Sequence, residues 1–218
     1  MGTVGRYARI EQVPTEAPVF PLSGALLLPR SRLPLNIFEP RYLAMVDDAL
    51  AGDRLIALVQ PEVLGAEEVE TAPRLARVGT VGRITAFRET DDGRYLITLT
   101  GVARFTLVQE LAATTPYRRI VMDFTGYGAD LQPAREPVVD RRELIRLLVP
   151  YLEERDLEVD WHALDAVSGE GLVNALAMML PFGGREKHAL LLAETARARA
   201  ELLCTLLEMG GSGEGLSL

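Results

Sequence analysis

The chain has 218 residues, 48% of them hydrophobic and 25% charged. That composition excludes wholesale disorder, and the length allows one large domain or two modest ones with a core that needs no covalent staples. A formal charge of −8 draws the chain neither to nucleic acid nor to anionic lipid, and the single cysteine, Cys204, excludes an internal disulfide framework and a cysteine-rich zinc site.

No stretch approaches ~20 apolar residues, so no membrane-spanning helix is expected. Residues 1–16 carry scattered charges and no apolar core of a secretory signal. The expected compartment is the cytoplasm, with no membrane partner.

Residues 18–127 are rich in short β-type runs divided by Gly, Pro and Asp, whereas residues 138–209 read as helical. Between them, Gly126-Tyr127-Gly128-Ala129-Asp130-Leu131-Gln132-Pro133 breaks both patterns. The expected division is an N-terminal extension over 1–17, a β-rich domain over 18–128, a helical subdomain over 129–209 and a disordered Gly/Ser tail over 210–218.

In chain order, Val19-Phe20-Pro21-Leu22 reads as a short strand whose Pro suits an edge or a strand end. In Leu33-Pro34-Leu35-Asn36-Ile37-Phe38, Leu35 and Ile37 alternate with Pro34 and Asn36, as in a half-buried strand. Pro40 then suits the first position of a helix, Glu39 brings a negative charge to its positive end, and Gly52 closes it. Its apolar stripe is Tyr42, Met45, Val46, Ala49 and Leu50. Residues 55–60 read as a buried strand, and 63–77 as a solvated acidic loop. The strongest hairpin signal follows: Val78–Glu89 and 95–100 flank Asp91-Asp92-Gly93-Arg94, where Asp-Gly suits positive φ. Residues 105–108 and 119–124 supply two more strands, and Gly79, Gly82 and Gly101 are expected at bends or bulges. About six or seven strands at this spacing favour a closed or nearly closed barrel or a sandwich.

In the second half, Asp140 with Glu143 resembles a capping box. The helix it opens carries Leu144, Leu147, Leu148, Tyr151 and Leu152 inward, and Pro150 is expected to kink or end it. Asp160 can cap a short turn holding Trp161, and Ser168 can cap a helix over 169–180. A single long helix is expected over 185–208, with Ala189, Ala193, Ala196, Ala200, Leu203 and Leu207 as a narrow seam for a neighbouring helix.

Catalytic signatures are sparse. His162 and His188 stand without the companions a metal site needs, so no metal and no cofactor is expected. No phosphate-binding Gly-rich loop ending in Lys appears; Gly183-Gly184-Arg185 reads as a plain loop. None of Ser23, Ser31, Ser168, Ser212 and Ser217 sits in a nucleophile elbow. The sole lysine, Lys187, lies beside Glu186 in a charged helix start, where a solvated ammonium is a poor base. Glu153-Glu154, Asp47-Asp48 and Asp91-Asp92 read as solvated faces or turns. Arg30, Arg32, Arg41, Arg83 and Arg104 form a local basic face or pair with the abundant acids.

Taken together, Val19-Phe20-Pro21-Leu22, Leu28-Pro29, Leu33-Pro34-Leu35-Asn36-Ile37-Phe38-Glu39-Pro40-Arg41-Tyr42, Val78-Gly79-Thr80, Asp92-Gly93-Arg94, Gly101-Val102-Ala103-Arg104-Phe105, Leu180-Pro181, Glu186-Lys187-His188 and Leu190-Leu191 resemble the N-terminal, substrate-binding domain family of the Lon protease, over residues 18–207. Two positions depart from that pattern: Arg30 stands where the family often has Gly, and His188 where it often has Gln. The resemblance implies an α+β fold, a PUA-like β-barrel of about six strands followed by an α-helical bundle with a long C-terminal helix. It also implies a free-standing form, without the ATPase and Ser-Lys protease modules, that is not itself an enzyme.

The expected function is therefore a non-catalytic module that binds unfolded or degron-bearing proteins or peptides, with a separate protease as a further partner. Its site would be an apolar groove on the barrel or between barrel and helices. Phe20, Leu35, Phe38, Tyr42 and Phe87, with Arg41 or Arg104, are the candidate contacts; each aromatic is otherwise ordinary core. Glu39, Arg41 and Arg104 are alternatively a structural tie, an internal ion pair fixing the first helix to the barrel. Two alternatives stand beside this reading: an RNA-binding barrel, against which the net charge speaks, and a small hydrolase using a serine with Lys187 or His188.

Overall fold

Among the described residues, period-two alternation of apolar residues carries the first half of the chain into six strands, and 3.6-residue periodicity carries the second into four of the five named helices. These are seen in a computed structural model that describes residues 7–62, 73–112, 114–134, 138–161 and 167–211. The chain divides into two compact units, Met1–Gln132 and Pro133–Leu218. The boundary falls within the Gly/Pro segment, at 132 rather than at 128.

In the first unit the strands are β1 (Glu16–Pro21), β2 (Arg32–Ile37), β3 (Leu55–Val59), β4 (Val78–Glu89), β5 (Tyr95–Glu110) and β6 (Arg119–Asp123), with helix α1 (Pro40–Ala51) between β2 and β3. Their order is β2-β5-β4-β3-β1-β6, and β6 pairs again with β5. That second pairing closes five strands into a barrel, which removes their open edges. β2 lies outside the ring on the first half of β5, from Arg32↔Thr100 to Ile37↔Tyr95.

The barrel core holds Val19, Leu55, Ala57, Val81, Ala103, Phe105, Ile120 and Met122. Inward positions recur every second residue, as the pleat requires. β3 is buried along its whole length. Leu58 pairs with Phe20 on the face opposite that core, and the Phe20 ring packs on Tyr42 of α1, centroids 4.4 Å apart. So α1 shields the outer face of the one parallel pair, β1–β3. Glu39 and Gly52 bound α1 and Pro40 occupies its first turn, as expected, while Leu50 is only half-buried.

One expectation is corrected in this unit, and two others fall only partly on described residues. Of the extension expected over 1–17, residues 1–6 lie outside the described residues, Tyr7 and Val13 are buried in the barrel core, and β1 begins at Glu16. The runs at 95–100 and 105–108 are one strand of 16 residues rather than two. Gly101 bends β5 without ending it, and Val102 is the extra residue where the register shifts between Val81 and Gly82. The position of Gly101 needs the missing side chain, because a Cβ there would lie 2.1 Å from the Leu28 carbonyl oxygen. Finally, the acidic loop expected at 63–77 lies for the most part outside the described residues, but Pro61 and Leu75 form an isolated bridge. The 91–94 hairpin forms as read, with Gly93 at φ 77° and its N–H donating to the Thr90 carbonyl.

The second unit contains α2 (Arg141–Glu154), α3 (Gly169–Met179), α4 (Gly184–Leu192) and α5 (Ala196–Gly211). Asp140 caps α2 by accepting from the N–H groups of Arg142 and Glu143, and Ser168 caps α3 by accepting from Gly171 N–H. α2 runs through Pro150 rather than ending there. Pro150 and Arg146, whose carbonyl loses its helical donor, are both on the exposed side, where water can substitute.

The single helix expected over 185–208 is two helices. Thr195 restarts the chain by accepting from Ala198 N–H through its hydroxyl, while the buried Arg199 donates from Nε to the Leu190 carbonyl and from a terminal nitrogen to Asn174 Oδ1, each at 3.0 Å. Arg199 thus satisfies the frayed end of α4 from the start of α5. The seam survives only on α5, where Ala200, Leu203 and Leu207 are buried; Ala189 is exposed. α5 also extends through Gly210 and Gly211, two residues into the tail expected to be unstructured, and 212–218 lie outside the described residues. The short turn expected around Trp161 falls mostly outside them too; Trp161 itself is exposed.

Gly101→Ala should lower stability by about 1–3 kcal/mol, because the added methyl meets backbone rather than a yielding side chain. Thermal unfolding of the full chain reads this as a fall in Tm.

Candidate functional site

Arg104 stands on β5 three residues after the Gly101 bend, and it pairs with Asp130 rather than with Glu39. Asp130 lies in a 3₁₀ turn, Gly128–Leu131, that follows β6. Its Oδ2 accepts from the Arg104 backbone N–H and from Nε, both at 2.9 Å, and Oδ1 accepts from NH2 at 2.8 Å. The Tyr127 ring lies under the same guanidinium, 5.2 Å to the centroid. Arg104 is 5% exposed and Asp130 7%, so this forked pair is internal. The Arg30 guanidinium also donates to the Asp130 carbonyl, and its N–H donates to the Gly101 carbonyl at 2.8 Å. Arg30 has φ 63°, the left-handed conformation that favours glycine. The departure from Gly at this position therefore costs backbone strain of about 1–2 kcal/mol, offset by the contact with Asp130.

The expected tie of the first helix to the barrel exists, but its residues are others. Glu39 and Arg41 do pair, at 2.8 Å, yet both are about half exposed and two residues apart, so the pair fastens α1 to nothing. The fastening comes from Asp47-Asp48, read from the sequence as a solvated face. The Tyr117 hydroxyl donates to Asp48, and the Asp47 carboxylate acts on the Tyr95 phenol. Burial and the Asp48 carboxylate push the Tyr117 phenol up to about 12, and the Asp47 carboxylate raises that of Tyr95. No local pattern marks these pairs, since their members lie 69 and 48 positions apart.

The candidate binding residues fall into two groups. Phe20 and Tyr42 are buried against each other, and the Arg41 guanidinium covers the Tyr42 ring at 4.5 Å. Phe38, next to this cluster in sequence, is 64% exposed. Leu35 and Phe87 belong to the second group, where β2, β5 and β4 run beyond the barrel ring. Rows Pro34–Thr98–Ala86, Leu35–Ile97–Phe87 and Asn36–Leu96–Arg88 line a groove of about 450 Å³. Leu35 is half-buried, Phe87 is 43% exposed, and the Phe87 ring meets the edge of Tyr95 with centroids 5.0 Å apart. Arg104 joins neither group.

Lys187 was expected in solvent and is instead buried, its Nζ donating to the Met178 carbonyl at 3.3 Å. Burial lowers its pKa. Ser168 uses its hydroxyl to cap α3. Among the described residues no group of three or more His, Cys, Asp and Glu is placed to hold a metal, and no helix is long and apolar enough to cross a membrane.

Residues 16–209 match the family described as the ATP-dependent protease La (LON) substrate-binding domain. The chain is 25% identical over 200 residues to "Lon protease 2" of Myxococcus xanthus, covering 90% of this chain and 24% of that one. It is 29% identical over 108 residues to "Lon protease" of Desulfosudis oleivorans, covering 49% of this chain and 13% of that one. The chain thus spans no more than about a quarter of the length of the curated relatives it matches. Among solved structures, a Lon N-terminal domain protein from Xanthomonas campestris aligns with TM-score 0.60 at 23% identity, over 88% of this chain and 98% of that one. The N-terminal domain of a Mycobacterium avium complex Lon protease aligns with TM-score 0.57 at 16% identity, over 92% and 100%. At these identities the structural likeness establishes the α+β fold.

Two outcomes test this geometry. Arg104→Ala and Asp130→Ala should each cost about 3–5 kcal/mol, because each strands a buried charge, and the double variant should cost less than their sum; urea unfolding measures all three. The raised Tyr117 phenol contributes stability that is complete below the ordinary tyrosine value of 10.0 and is lost as pH rises through about 12. Tyr117→Phe should flatten that alkaline loss in melts recorded across this range.

Proposed function

We propose a function from one premise: the chain belongs to the ATP-dependent protease La (Lon) substrate-binding domain family. On that premise it is a non-catalytic module that holds unfolded or degron-bearing segments of other proteins in the cytoplasm. ATP hydrolysis and peptide cleavage are assigned to modules outside residues 1–218, on this polypeptide or on a separate protease.

The observation that carries the reading is the apolar surface left open on the first unit. Phe38 and Phe87 are the most exposed large apolar side chains of its candidate set, and Leu35 is only half-buried. A buried aromatic gains about 1.5–3 kcal/mol from leaving water, so two such anchors support weak, exchangeable binding suited to many sequences. Phe38, Phe87, Leu35 and Arg41 are the proposed contacts. Phe20 and Tyr42 form the packed base under Arg41, and Arg104 is an internal tie.

Immobilised full chain should retain reduced, carboxymethylated lactalbumin and release the native protein. Phe38→Ser with Phe87→Ser should weaken that retention by about tenfold with little change in Tm. Equal retention of folded and unfolded lactalbumin by the unaltered chain would sink the reading.

A further inference from the structure

The three strands beyond the barrel ring have two unlike faces. Residues directly opposite in a sheet point the same way, and successive rows alternate. Leu33–Leu99–Ile84, Leu35–Ile97–Phe87 and Ile37–Tyr95–Glu89 share one face. Leu99, Ile84, Ile97 and Ile37 are buried there, and Tyr95 is half-buried. Arg32–Thr100–Arg83, Pro34–Thr98–Ala86 and Asn36–Leu96–Arg88 share the other. Thr85 joins them, its hydroxyl 2.9 Å from that of Thr100. On this second face Arg32, Pro34, Asn36, Ala86 and Arg88 are exposed.

The ionisable groups of the second face are all arginines, in a chain of 31 acids and 23 Lys plus Arg. Among the described residues neither Arg32 nor Arg88 has a carboxylate within ion-pair distance. Arg83 donates to the Asp53 backbone carbonyl, which leaves its positive charge in place. Arginines 41, 94, 104, 118, 119, 146, 155 and 197 each have an acid beside them, whereas Arg9, Arg54, Arg74, Arg77, Arg142 and Arg185 have no ion pair to a described residue; Arg32, Arg83 and Arg88 differ from these in sharing one face of three adjacent strands. Unpaired cations grouped on one open face in an acidic protein supply a field that an incoming anion completes.

The geometry points to this face as the docking surface for an acidic, extended segment of a partner protein, one with carboxylates on Arg32, Arg83 and Arg88 and small apolar side chains over Pro34, Ala86 and Leu96. This rests on the protein-binding function proposed above and adds to it a second contact surface, on the face opposite Leu35 and Phe87. Arg32 and Arg83 stand two strand spacings apart, about 10 Å, and Arg88 lies about 13–16 Å along the strands, so the matching carboxylates are about three to five residues apart in an extended chain.

The face is favoured over the free edge of β2 as the recognition element. Tyr95, Ile97 and Leu99 alternate with the β5 residues that bond β4, so Arg32, Pro34 and Asn36 direct their backbone groups outward. Pro34 has no N–H to offer there, which discourages an added strand. RNA is disfavoured because Phe87 and Tyr95, the aromatic rings of this hairpin, sit in rows of the opposite face and give bases no platform.

The test is fluorescence anisotropy with a labelled peptide about ten residues long that carries Glu at every third or fourth position between Val and Ala, beside its Lys-for-Glu counterpart and an oligouridylate of similar length. The full chain should bind the Glu peptide, less tightly as salt is raised, and ignore the Lys peptide. Arg32→Glu with Arg88→Glu, both at exposed positions, should lose the Glu peptide by about tenfold or more and gain the Lys peptide. Equal binding of the two peptides, no effect of the charge reversal, or displacement of the Glu peptide by the oligouridylate overturns the proposal. Retention of unfolded lactalbumin by the charge-reversed chain separates the two claims: if it persists while the Glu peptide fails, only the acidic ligand is wrong; if the unaltered chain never retains it, the protein-binding function itself is wrong.

Discussion

The first unit depends on one close approach. At Gly101 the backbone of β5 comes so near the Leu28 carbonyl that any side chain would collide with it. The bend made there lets a single strand serve both the ring and the strands that project from it. Before the bend β5 pairs with β2, and after it β5 pairs with β6 and completes the ring. Without that turn the strand would continue straight, and either the barrel or its three-stranded projection would lose a partner.

The bend is held from the side by Arg104 and Asp130. Two hydrogen bonds to one carboxylate oxygen and a third to the other satisfy a buried charge from a turn 26 residues further on. Such a pair adds little net stability over an apolar substitute, but it allows one arrangement of the turn against the strand. Arg30 and Tyr127 gather round the same two residues, so the loop before β2 and the segment after β6 meet at the bend. The same side-chain type does opposite work nearby. Arg104 is neutralised inside, whereas Arg32 and Arg88 keep their charge in water.

Division of labour follows from topology. A closed ring has no open edge and fills its interior with its own side chains, so it offers a partner little. The projecting parts of β2, β4 and β5 carry Leu35 and Phe87 on one face and Arg32, Pro34 and Arg88 on the other, and β2 has an outer edge guarded by Pro34. The ring anchors these strands without burying them.

Much of this was written locally. The alternation in β2, the Asp92-Gly93 turn, the caps at Asp140 and Ser168 and the start of α1 at Pro40 arise from neighbours within a few residues and could be read from them, and with them the α+β class. The family motif likewise pointed to a substrate-binding fold. Folding alone settles whatever depends on residues far apart in the chain: the partner of Arg104, the anchoring of α1 through Tyr117, the continuity of β5, the break at Arg199, the burial of Lys187 and the face shared by Arg32, Arg83 and Arg88. Local propensity has a range of a turn or a strand, whereas an ion pair, a closed ring or a charged face exists only once the chain has brought distant residues together.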